Sequence, residues 1–231
     1  DNVEIALVEA FIAHEFNLKN GTRDQNCPPM TIIRLGTSGG IQPDVTPGSL
    51  TISSYALGLD TTGIYYDQPT KDETIKRIEE DSAEILNNAI DNSSRFKGKI
   101  FPYASKASTE VTNALIHQAQ ISGLEFDTGI TVSSPGFYGP SSRIIDGLRN
   151  TLPDIKGSLS ELNINGLKAY NMEMESSLLF HLCAQMGYRA GTICTVISGP
   201  TESDSIIDYE VAIGNTINIG LKALVELNNS K

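Results

Sequence analysis

Two carboxylates lie close together in residues 171–176, which read Asn-Met-Glu-Met-Glu-Ser. Acidic side chains are common in a first helical turn, where the helix dipole favours them, and an apolar run over residues 178–186 follows. Residues two apart point about 200° apart around a helix, whereas they share one face of a strand. The stretch therefore predicts a strand-to-helix junction that directs Glu173, Glu175 or both into a cleft.

A second motif, Gly-Thr-Ser-Gly-Gly at residues 36–40, follows an apolar run and has two functional interpretations. It matches the Gly-x-Ser-x-Gly elbow of serine hydrolases, in which the serine must turn directly into a helix. Residues 41–47 contain two prolines and cannot form that helix, and His14 and His117 fall inside predicted helices. We therefore reject a serine hydrolase triad.

The other interpretation of this motif is an anion-binding turn. Glycines allow backbone amides to approach a ligand closely, while Thr37 and Ser38 offer hydroxyls and Arg34 supplies positive charge. The alternative is an ordinary glycine turn beside an exposed arginine.

An aromatic pair precedes an arginine in the Pro/Gly-rich segment 134–143. Phe137 and Tyr138 could stack on a planar ring, and the Arg143 guanidinium could donate to carbonyl groups at its edge. A surface arginine after a loop is the simpler alternative. The sequence has no Cys/His spacing typical of zinc, so we expect no metal.

Strands and helices alternate along the chain, which is typical of an α/β fold with a largely parallel sheet. No linker or repeat divides the chain, so we expect a single domain over residues 1–231. In the first helix we expect Ile5, Val8, Ile12 and Ala13 to face inward. Predicted strands cover residues 30–35, 50–59, 99–103, 129–133, 167–172 and 191–198, and predicted helices cover 2–16, 72–90, 108–122, 144–149, 178–186 and 207–227.

Ligands of such sheets bind beyond the carboxyl ends of the strands. Four segments leave carboxyl ends here, namely residues 36–40, 134–143, 171–175 and 198–204. They predict one site assembled from distant parts of the chain.

The composition excludes several classes of partner. A net charge of −11 over 231 residues argues against nucleic acid and anionic membrane surfaces, and no apolar run is long enough to span a membrane. Cys27, Cys183 and Cys194 are unclustered, which indicates reduced thiols and a cytoplasmic location. Because an α/β domain usually begins with a strand, we also expect that a first strand-loop unit is missing before the first helix.

Together, the motifs at residues 34–40 and 171–176 resemble the nucleoside phosphorylase family, and most closely its uridine-cleaving members. The resemblance covers essentially the whole chain and implies a three-layer fold, with a mixed, largely parallel central sheet flanked by helices. It also implies that the N-terminal strand unit of the family is absent.

The resemblance implies a role for each matching residue. Arg34, Thr37 and Ser38 would bind phosphate. Thr37, Glu173, Met174 and Glu175 would hold the ribose, and Gly39, Phe137, Ser141 and Arg143 would surround the base. Among them, Glu175, Arg34 and Thr37 would be catalytic.

The implied reaction is reversible phosphorolysis of a nucleoside, with uridine giving uracil and ribose 1-phosphate. Inorganic phosphate is then a co-substrate, and no cofactor is needed. The implied assembly is a homodimer or a set of dimers.

Three departures from the family keep alternatives open. We expect the family's N-terminal phosphate-binding segment to be absent, Ser141 stands where the family has a glutamine that reads uracil, and Pro200 stands where it has an arginine. Gly199 stands near the place where purine-cleaving relatives have an aspartate, while Glu202 and Asp204 lie close by in sequence. A phosphorylase or nucleosidase for another base, or a non-catalytic nucleoside-binding protein, are the alternatives.

Overall fold

A computed structural model of the chain describes residues 2–69, 72–199 and 208–229. Within them are six α-helices and nine strands, together with 3-10 turns at Gly63–Tyr65 and Gly139–Ser141. The helices are α1 Asn2–Glu15, α2 Glu73–Ala89, α3 Thr109–Ser122, α4 Ile155–Ser160, α5 Ser176–Met186 and α6 Tyr209–Asn229. The strands are β1 Phe16–Asn17, β2 Thr22–Arg23, β3 Thr31–Gly40, β4 Leu50–Gly58, β5 Tyr103–Lys106, β6 Phe126–Ser133, β7 Asn163–Ile164, β8 Leu167–Glu173 and β9 Arg189–Ser198.

The main sheet is mixed, and its path closes on itself. Its strand order is β3-β9-β4-β6-β8-β7, and β5 pairs antiparallel with β4. The pairs β3–β9, β4–β6 and β6–β8 are parallel, whereas β4–β9 is antiparallel. A further antiparallel contact joins β3 to β8 through Gly39–Met172 and Gly40–Asn171. The two sequence motifs are therefore direct neighbours in the sheet.

Helices cover the sheet through three apolar clusters, which confirms the predicted α/β class with a mixed sheet flanked by helices. The first cluster joins α2 and α4 to β4, β6 and β8. In the second, α1 and α5 pack together, and in the third, α3 and α6 pack against β4 and β9. Helix α2 contributes one apolar face, as amphipathic helices do in layered folds, whereas residues 176–183 of α5 are buried on all sides.

Capping residues define the ends of three helices. Asp72 caps α2 by accepting a hydrogen bond from the Thr74 amide at 2.9 Å. Gly123 and Gly187 end α3 and α5 in the left-handed conformation, with φ of 69° and 74°.

The predicted inward face of α1 is wrong except at Val8, which is partly buried against the second cluster. Leu7 and Phe11 are buried, whereas Ile5 and Ile12 are 54% and 38% exposed. Ala13 is exposed as well. Apolar residues occur all around this helix, so their spacing does not select a face and packing against α5 decides it.

Two other elements differ from prediction. The strand expected at residues 99–103 begins only at Tyr103, because Pro102 cannot donate a ladder hydrogen bond. No helix forms at residues 144–149, where Gly147 takes a φ of 82°. The short helix is α4 instead, capped by the Asp154 carboxylate, which accepts from the Gly157 amide.

The predicted turn at residues 36–40 is also wrong, because β3 continues to Gly40. Gly36 and Thr37 pair with Cys194 and Thr195 of β9, and a bulge separates Ser38 from Gly39. A neighbouring strand thus keeps this glycine-rich segment extended.

Some expectations fall outside the described residues or stay untested. Asp1, residues 70–71, Pro200, Glu202, Asp204 and the first residue of the predicted last helix are outside the described residues. The single domain and the missing strand unit stay predictions. Within the described residues, none of the helices combines the length and apolar character required for a membrane span.

A close contact between β9 and α3 gives a test of this packing. A Cβ on Gly191 would lie 2.4 Å from Cγ1 of Val111, a stiff β-branched side chain. We expect Gly191→Ala to lower the free energy of unfolding by about 1–3 kcal/mol through overpacking. Val111→Ala should relieve the clash, so the double variant should be more stable than additivity predicts, by about 1 kcal/mol. Urea unfolding of all four proteins measures this coupling, and strict additivity would contradict the contact.

Candidate active site

One cavity, of about 170 Å³, collects residues from all four predicted segments. All ten predicted site residues line it: Arg34, Thr37, Ser38, Gly39, Phe137, Ser141, Arg143, Glu173, Met174 and Glu175. Four further residues that the sequence reasoning missed also line it: Lys156, Met172, Ile197 and Ser198. The fourth segment contributes only Ser198 here, since residues 200–204 lie outside the described residues.

The centre of the cavity is an arginine held by two carboxylates. Arg34 donates from Nε to Glu175 Oε2 at 2.9 Å, and its Nη2 also donates to that oxygen. Its Nε lies 3.1 Å from Glu173 Oε2. The predicted strand-to-helix junction therefore exists between β8 and α5, and it directs both carboxylates towards one cation that lines the cavity.

The two carboxylates have different environments. The Glu173 side chain is 1% exposed and that of Glu175 is 36% exposed. Glu173 accepts from Ser133 Oγ and from the amides of Glu175 and Ser176, in addition to its ion pair. These donors occupy its acceptor positions. Glu173 therefore has no free acceptor for the predicted ribose contact. Its carboxylate instead caps the first turn of α5.

Glu175 is the carboxylate that a ligand can reach. It occupies the N-cap position of α5 with φ −135° and ψ −25°, but its side chain makes no capping hydrogen bond. In the contacts above, Arg34 donates only to Oε2 of Glu175. The lone pairs of Oε1 can therefore accept a hydrogen bond from a ligand hydroxyl. Met174 beside it is 39% exposed and adds an apolar surface.

Arg34 is also fixed from the strand side. Its Nη1 donates to Cys194 Sγ at 2.9 Å, and a Cβ on Gly36 would lie only 2.2 Å from Nη1. Glycine at position 36 is thus required for the guanidinium to lie over β3. The glycines of this motif predict a turn. The first of them instead leaves room for the side chain of an arginine on the same face of the strand.

Charge at this position is stable towards pH. Burial alone would lower the pKa of Arg34, but Cys194, Glu173 and Glu175 raise it above its usual value. Burial raises the pKa of the Cys194 thiol to about 12, against the opposing effect of Arg34. Cys194 is therefore a neutral acceptor at physiological pH, and the carboxylates supply the negative charge.

Thr37 and Ser38 line the same cavity as this cluster. Ser38 is 4% exposed, and its Oγ has no hydrogen-bond partner among the described residues. A buried hydroxyl without a partner costs free energy, unless a ligand or water completes it. This position therefore suits a ligand rich in acceptor oxygens.

Residues 134–143, which we call the base loop because three predicted base-binding residues lie in it, also contribute to the cavity through Phe137, Ser141 and Arg143. The Arg143 guanidinium stacks 3.8 Å from the centre of the Phe137 ring and donates to the Phe137 carbonyl. Phe137 and Tyr138 make an edge-to-face pair at 5.5 Å. Ser141 Oγ donates to the Gly136 carbonyl at 3.0 Å, so this hydroxyl stabilises the loop. The predicted stacking group thus exists, but its arginine is engaged with its own aromatic partner.

A buried polar chain supports Glu173 from behind. Ser133 Oγ, which donates to Glu173, accepts from the Ser177 amide at 3.0 Å. Ser177 Oγ and the Tyr103 hydroxyl both donate to Asp60 Oδ2, at 3.1 and 2.7 Å. Burial and the Asp60 charge raise the pKa of Tyr103, which stays protonated as a donor. No local sequence pattern identifies this hydrogen-bonded network, because its members come from β5, β6, β8, α5 and the loop after β4.

Metal binding has no support from the described part of the chain. Within residues 2–69, 72–199 and 208–229, no group of three or more His, Cys, Asp or Glu side chains is placed to hold an ion. The expectation of a metal-free reaction stays a prediction.

Fold and site together define a class of protein: a mixed, closed sheet whose cavity combines a carboxylate-bound arginine with an aromatic loop. The chain belongs to the phosphorylase superfamily, whose family model matches residues 2–224. This confirms the resemblance to nucleoside phosphorylases.

Curated relatives carry the names of nucleoside phosphorylases. Uridine phosphorylase of Haemophilus influenzae is 29% identical over 186 residues, which are 80% of this chain and 60% of that protein. That of Thermococcus kodakarensis is 30% identical over 168 residues, covering 73% of this chain and 48% of that protein. A DeoD-type purine nucleoside phosphorylase of Dichelobacter nodosus is 25% identical over 234 residues, covering 94% of this chain and 88% of that protein. This chain thus spans about half to three fifths of the two uridine phosphorylases.

A solved structure agrees with the fold in detail. The crystal structure of a Trypanosoma brucei nucleoside phosphorylase, described as showing uridine phosphorylase activity, matches with a TM-score of 0.81 and 27% identity. The match covers 98% of this chain and 77% of that one. The mixed sheet and its flanking helices are therefore those of a nucleoside phosphorylase.

The different environments of the two carboxylates predict different effects on stability. We expect Glu173→Gln to lower the free energy of unfolding by about 3 kcal/mol, because it leaves a buried arginine and two amides poorly matched. Glu175→Gln should cost less than about 1 kcal/mol, since its pair is partly solvated. Urea unfolding monitored by circular dichroism measures the stability of both variants. Glu84→Gln, at an exposed position of α2, is the control. Equal losses at positions 173 and 175 would contradict the assignment.

Proposed function

We propose that this protein catalyses the reversible phosphorolysis of a nucleoside, with uridine as substrate, giving uracil and ribose 1-phosphate. The observation that carries the proposal is the pairing of Arg34 with Glu175 inside a cavity that also holds the base loop. The names of the relatives support the same activity. On this proposal no cofactor takes part, and inorganic phosphate is the co-substrate.

Phosphate would bind at the strand end of the cavity. Arg34 provides a permanent positive charge, and the hydroxyls of Thr37 and Ser38 provide donors. The Ser38 hydroxyl, for which the described part of the chain offers no partner, would gain a hydrogen bond from an anion oxygen. Binding of phosphate would also draw part of the Arg34 charge away from Glu175, which would leave that carboxylate more available to a sugar.

Ribose would lie between phosphate and base. Its two hydroxyls are donors, and the half-exposed Glu175 carboxylate can accept from both, while Met174 packs under the ring. Thr37 lines the same cavity as Arg34 and would contact both phosphate and sugar. Positive charge that develops at C1′ in the transition state is stabilised by Glu175 and by the phosphate itself.

Phosphorolysis needs no nucleophilic side chain, because phosphate is the nucleophile. The protein accelerates the reaction by holding phosphate and sugar in line and by presenting fixed charges to the transition state. Anchoring of Arg34 by Glu173, Glu175 and Cys194 is the preorganisation that such a site requires.

Another base is the second candidate. Ser141 is turned towards the Gly136 carbonyl and does not supply the contact that a glutamine would make to uracil. A purine nucleoside is the alternative substrate that this observation favours. The match to a purine nucleoside phosphorylase, which covers 88% of that protein, supports the same alternative.

Release of free base distinguishes these functions. We expect the purified protein to release uracil from uridine only when phosphate is present, and faster than it releases hypoxanthine from inosine. Faster release from inosine would replace uridine by a purine substrate, and release without phosphate would make the protein a nucleosidase. Binding without any release would contradict an enzymatic function.

The proposed role of Glu175 gives a kinetic prediction. Glu175→Gln keeps the shape of the side chain but removes its charge, so we expect kcat to fall on the order of 100-fold while the fold is retained. The matched control Glu84→Gln should keep the wild-type rate. A wild-type kcat in Glu175→Gln would exclude the proposed role.

Assembly and location are further proposals. We infer a homodimer or a set of dimers, which exposed apolar side chains on one stripe of α6 support: Tyr209, Ile213, Ile217, Leu221 and Val225. Sedimentation over a range of concentrations measures the oligomeric state, and a monomer at all concentrations would contradict a dimer.

Reduced thiols at Cys27, Cys183 and Cys194 support a cytoplasmic location.

A further inference from the structure

Asp60 is a buried residue in the loop after β4, and its two carboxylate oxygens have different partners. Its Oδ1 accepts from the amides of Thr62 and Gly63 at 2.8 and 3.3 Å, which holds the entry to the 3-10 turn. Its Oδ2 accepts from the hydroxyls of Tyr103 and Ser177 at 2.7 and 3.1 Å. The turn accounts for the first oxygen only, and the second connects this loop to α5. We call Asp60, Tyr103 and Ser177 the Asp60 cluster.

The charge of Asp60 is compensated without a cation. None of the ion pairs formed by the described residues includes this carboxylate. Its compensation comes from four hydrogen-bond donors and from the positive end of the α5 dipole, because Ser177 is the second residue of that helix. The first turn of α5 therefore interacts with two buried carboxylates, Asp60 and Glu173.

Packing fixes the tyrosine of this cluster. A Cβ on Gly58 would lie 2.3 Å from Tyr103 Cε1, and a Cβ on Gly63 would lie 2.3 Å from Tyr103 Cζ. A side chain at either glycine would thus collide with the ring. On α5, His181 makes an edge-to-face contact with the same ring at 5.4 Å. The Tyr103 hydroxyl is therefore held in one place.

Hydrogen bonds connect the Asp60 cluster to the carboxylate that a ligand can reach. The Ser177 amide donates to Ser133 Oγ at 3.0 Å, and Ser133 Oγ donates to Glu173. Glu173 in turn accepts from the amides of Glu175 and Ser176 at 3.0 and 3.1 Å. The Glu175 carbonyl accepts the first hydrogen bond of α5. The backbone position of Glu175 thus depends on how the first turn of this helix is held.

We propose that Asp60 and Tyr103 are positioning residues, which hold the first turn of α5 so that the Glu175 carboxylate meets the ribose hydroxyls. Neither residue lines the cavity, and both act through Ser177 and the Ser133–Glu173 hydrogen bond. The proposal rests on the proposed function, in which Glu175 accepts from the sugar. It matters for rate because a displacement of about 1 Å at a catalytic group can cost on the order of 100-fold.

Three variants test this role. Asp60→Asn keeps an oxygen for the two turn amides and replaces the Oδ2 acceptor with an NH₂ donor, which cannot accept from the two hydroxyls. Tyr103→Phe keeps the packed ring and removes only its hydroxyl. Tyr188→Phe is the matched control, because Tyr188 is a buried tyrosine at the other end of α5, where its amide donates to the Cys183 carbonyl at 2.8 Å.

Each protein is assayed with uridine and with 2′-deoxyuridine, which lacks one of the two hydroxyls that Glu175 would accept from. We expect Asp60→Asn to lower kcat/KM on the order of 10-fold for uridine and clearly less for 2′-deoxyuridine. The preference for uridine should also shrink in Tyr103→Phe and stay at the wild-type value in Tyr188→Phe. Loss of folded enzyme lowers both rates by the same factor, so an unchanged preference in Asp60→Asn would overturn the proposal.

Amide hydrogen exchange tests the position of α5 without an assay of activity. In Asp60→Asn the amides of residues 175–177 should exchange about tenfold faster than in the wild type, because their acceptors are displaced. The amides of α3 should keep their wild-type rates, as should residues 175–177 in Tyr188→Phe. Unchanged exchange at residues 175–177 in Asp60→Asn, or an equal acceleration in α3, would overturn the proposal.

The two measurements separate this proposal from the proposed function. If the wild type does not cleave uridine, the proposed function fails, and hydrogen exchange alone decides whether Asp60 and Tyr103 hold α5. If Asp60→Asn does not fold, Tyr103→Phe takes its place in both measurements with the same criteria.

Discussion

The arrangement of the site depends on one ion cluster, in which Arg34 lies against Glu173 and Glu175. A buried guanidinium requires nearby negative charge, and Glu173 supplies it at the cost of nearly all its own acceptor positions. Glu175 can then remain half-exposed, because it is not needed to cap α5. Of two glutamates that lie two residues apart, Glu173 is thus part of the buried scaffold. Glu175 remains accessible to a ligand.

Closure of the sheet makes this cluster possible. The short antiparallel contact between β3 and β8 places Gly39 beside Met172, so the arginine strand and the glutamate strand meet without an intervening element. Behind them, the hydrogen-bonded chain from Glu173 through Ser133 and Ser177 reaches Asp60. Both charge and position are therefore fixed by strands and buried side chains, which hold a catalytic geometry more firmly than loops do.

The sequence predicts the class of fold, and the residues selected from its two spaced motifs and its aromatic loop line one cavity. It fails where a tertiary partner decides. Glycines at 36–40 favour a turn by themselves, yet pairing with β9 extends them into a strand. The apolar residues of α1 surround the helix, and only packing against α5 determines that Leu7 and Phe11 are buried. Lys156 was missed because its helix was predicted about ten residues too early, although Asp154 is a usable capping signal.

Ser142 has a consequence for how such a protein can acquire new substrates. Through its left-handed backbone and its hydroxyl, it joins the aromatic loop to α4, so residues 137–156 form one connected segment at the cavity. Strands β3 and β8, which carry Arg34 and Glu173, do not belong to that segment. Changes in the segment can therefore reshape its part of the cavity without moving Arg34 or Glu175. On the proposed function, substrate range and reaction type would be encoded in separate parts of the chain, and the first could evolve while the second is conserved.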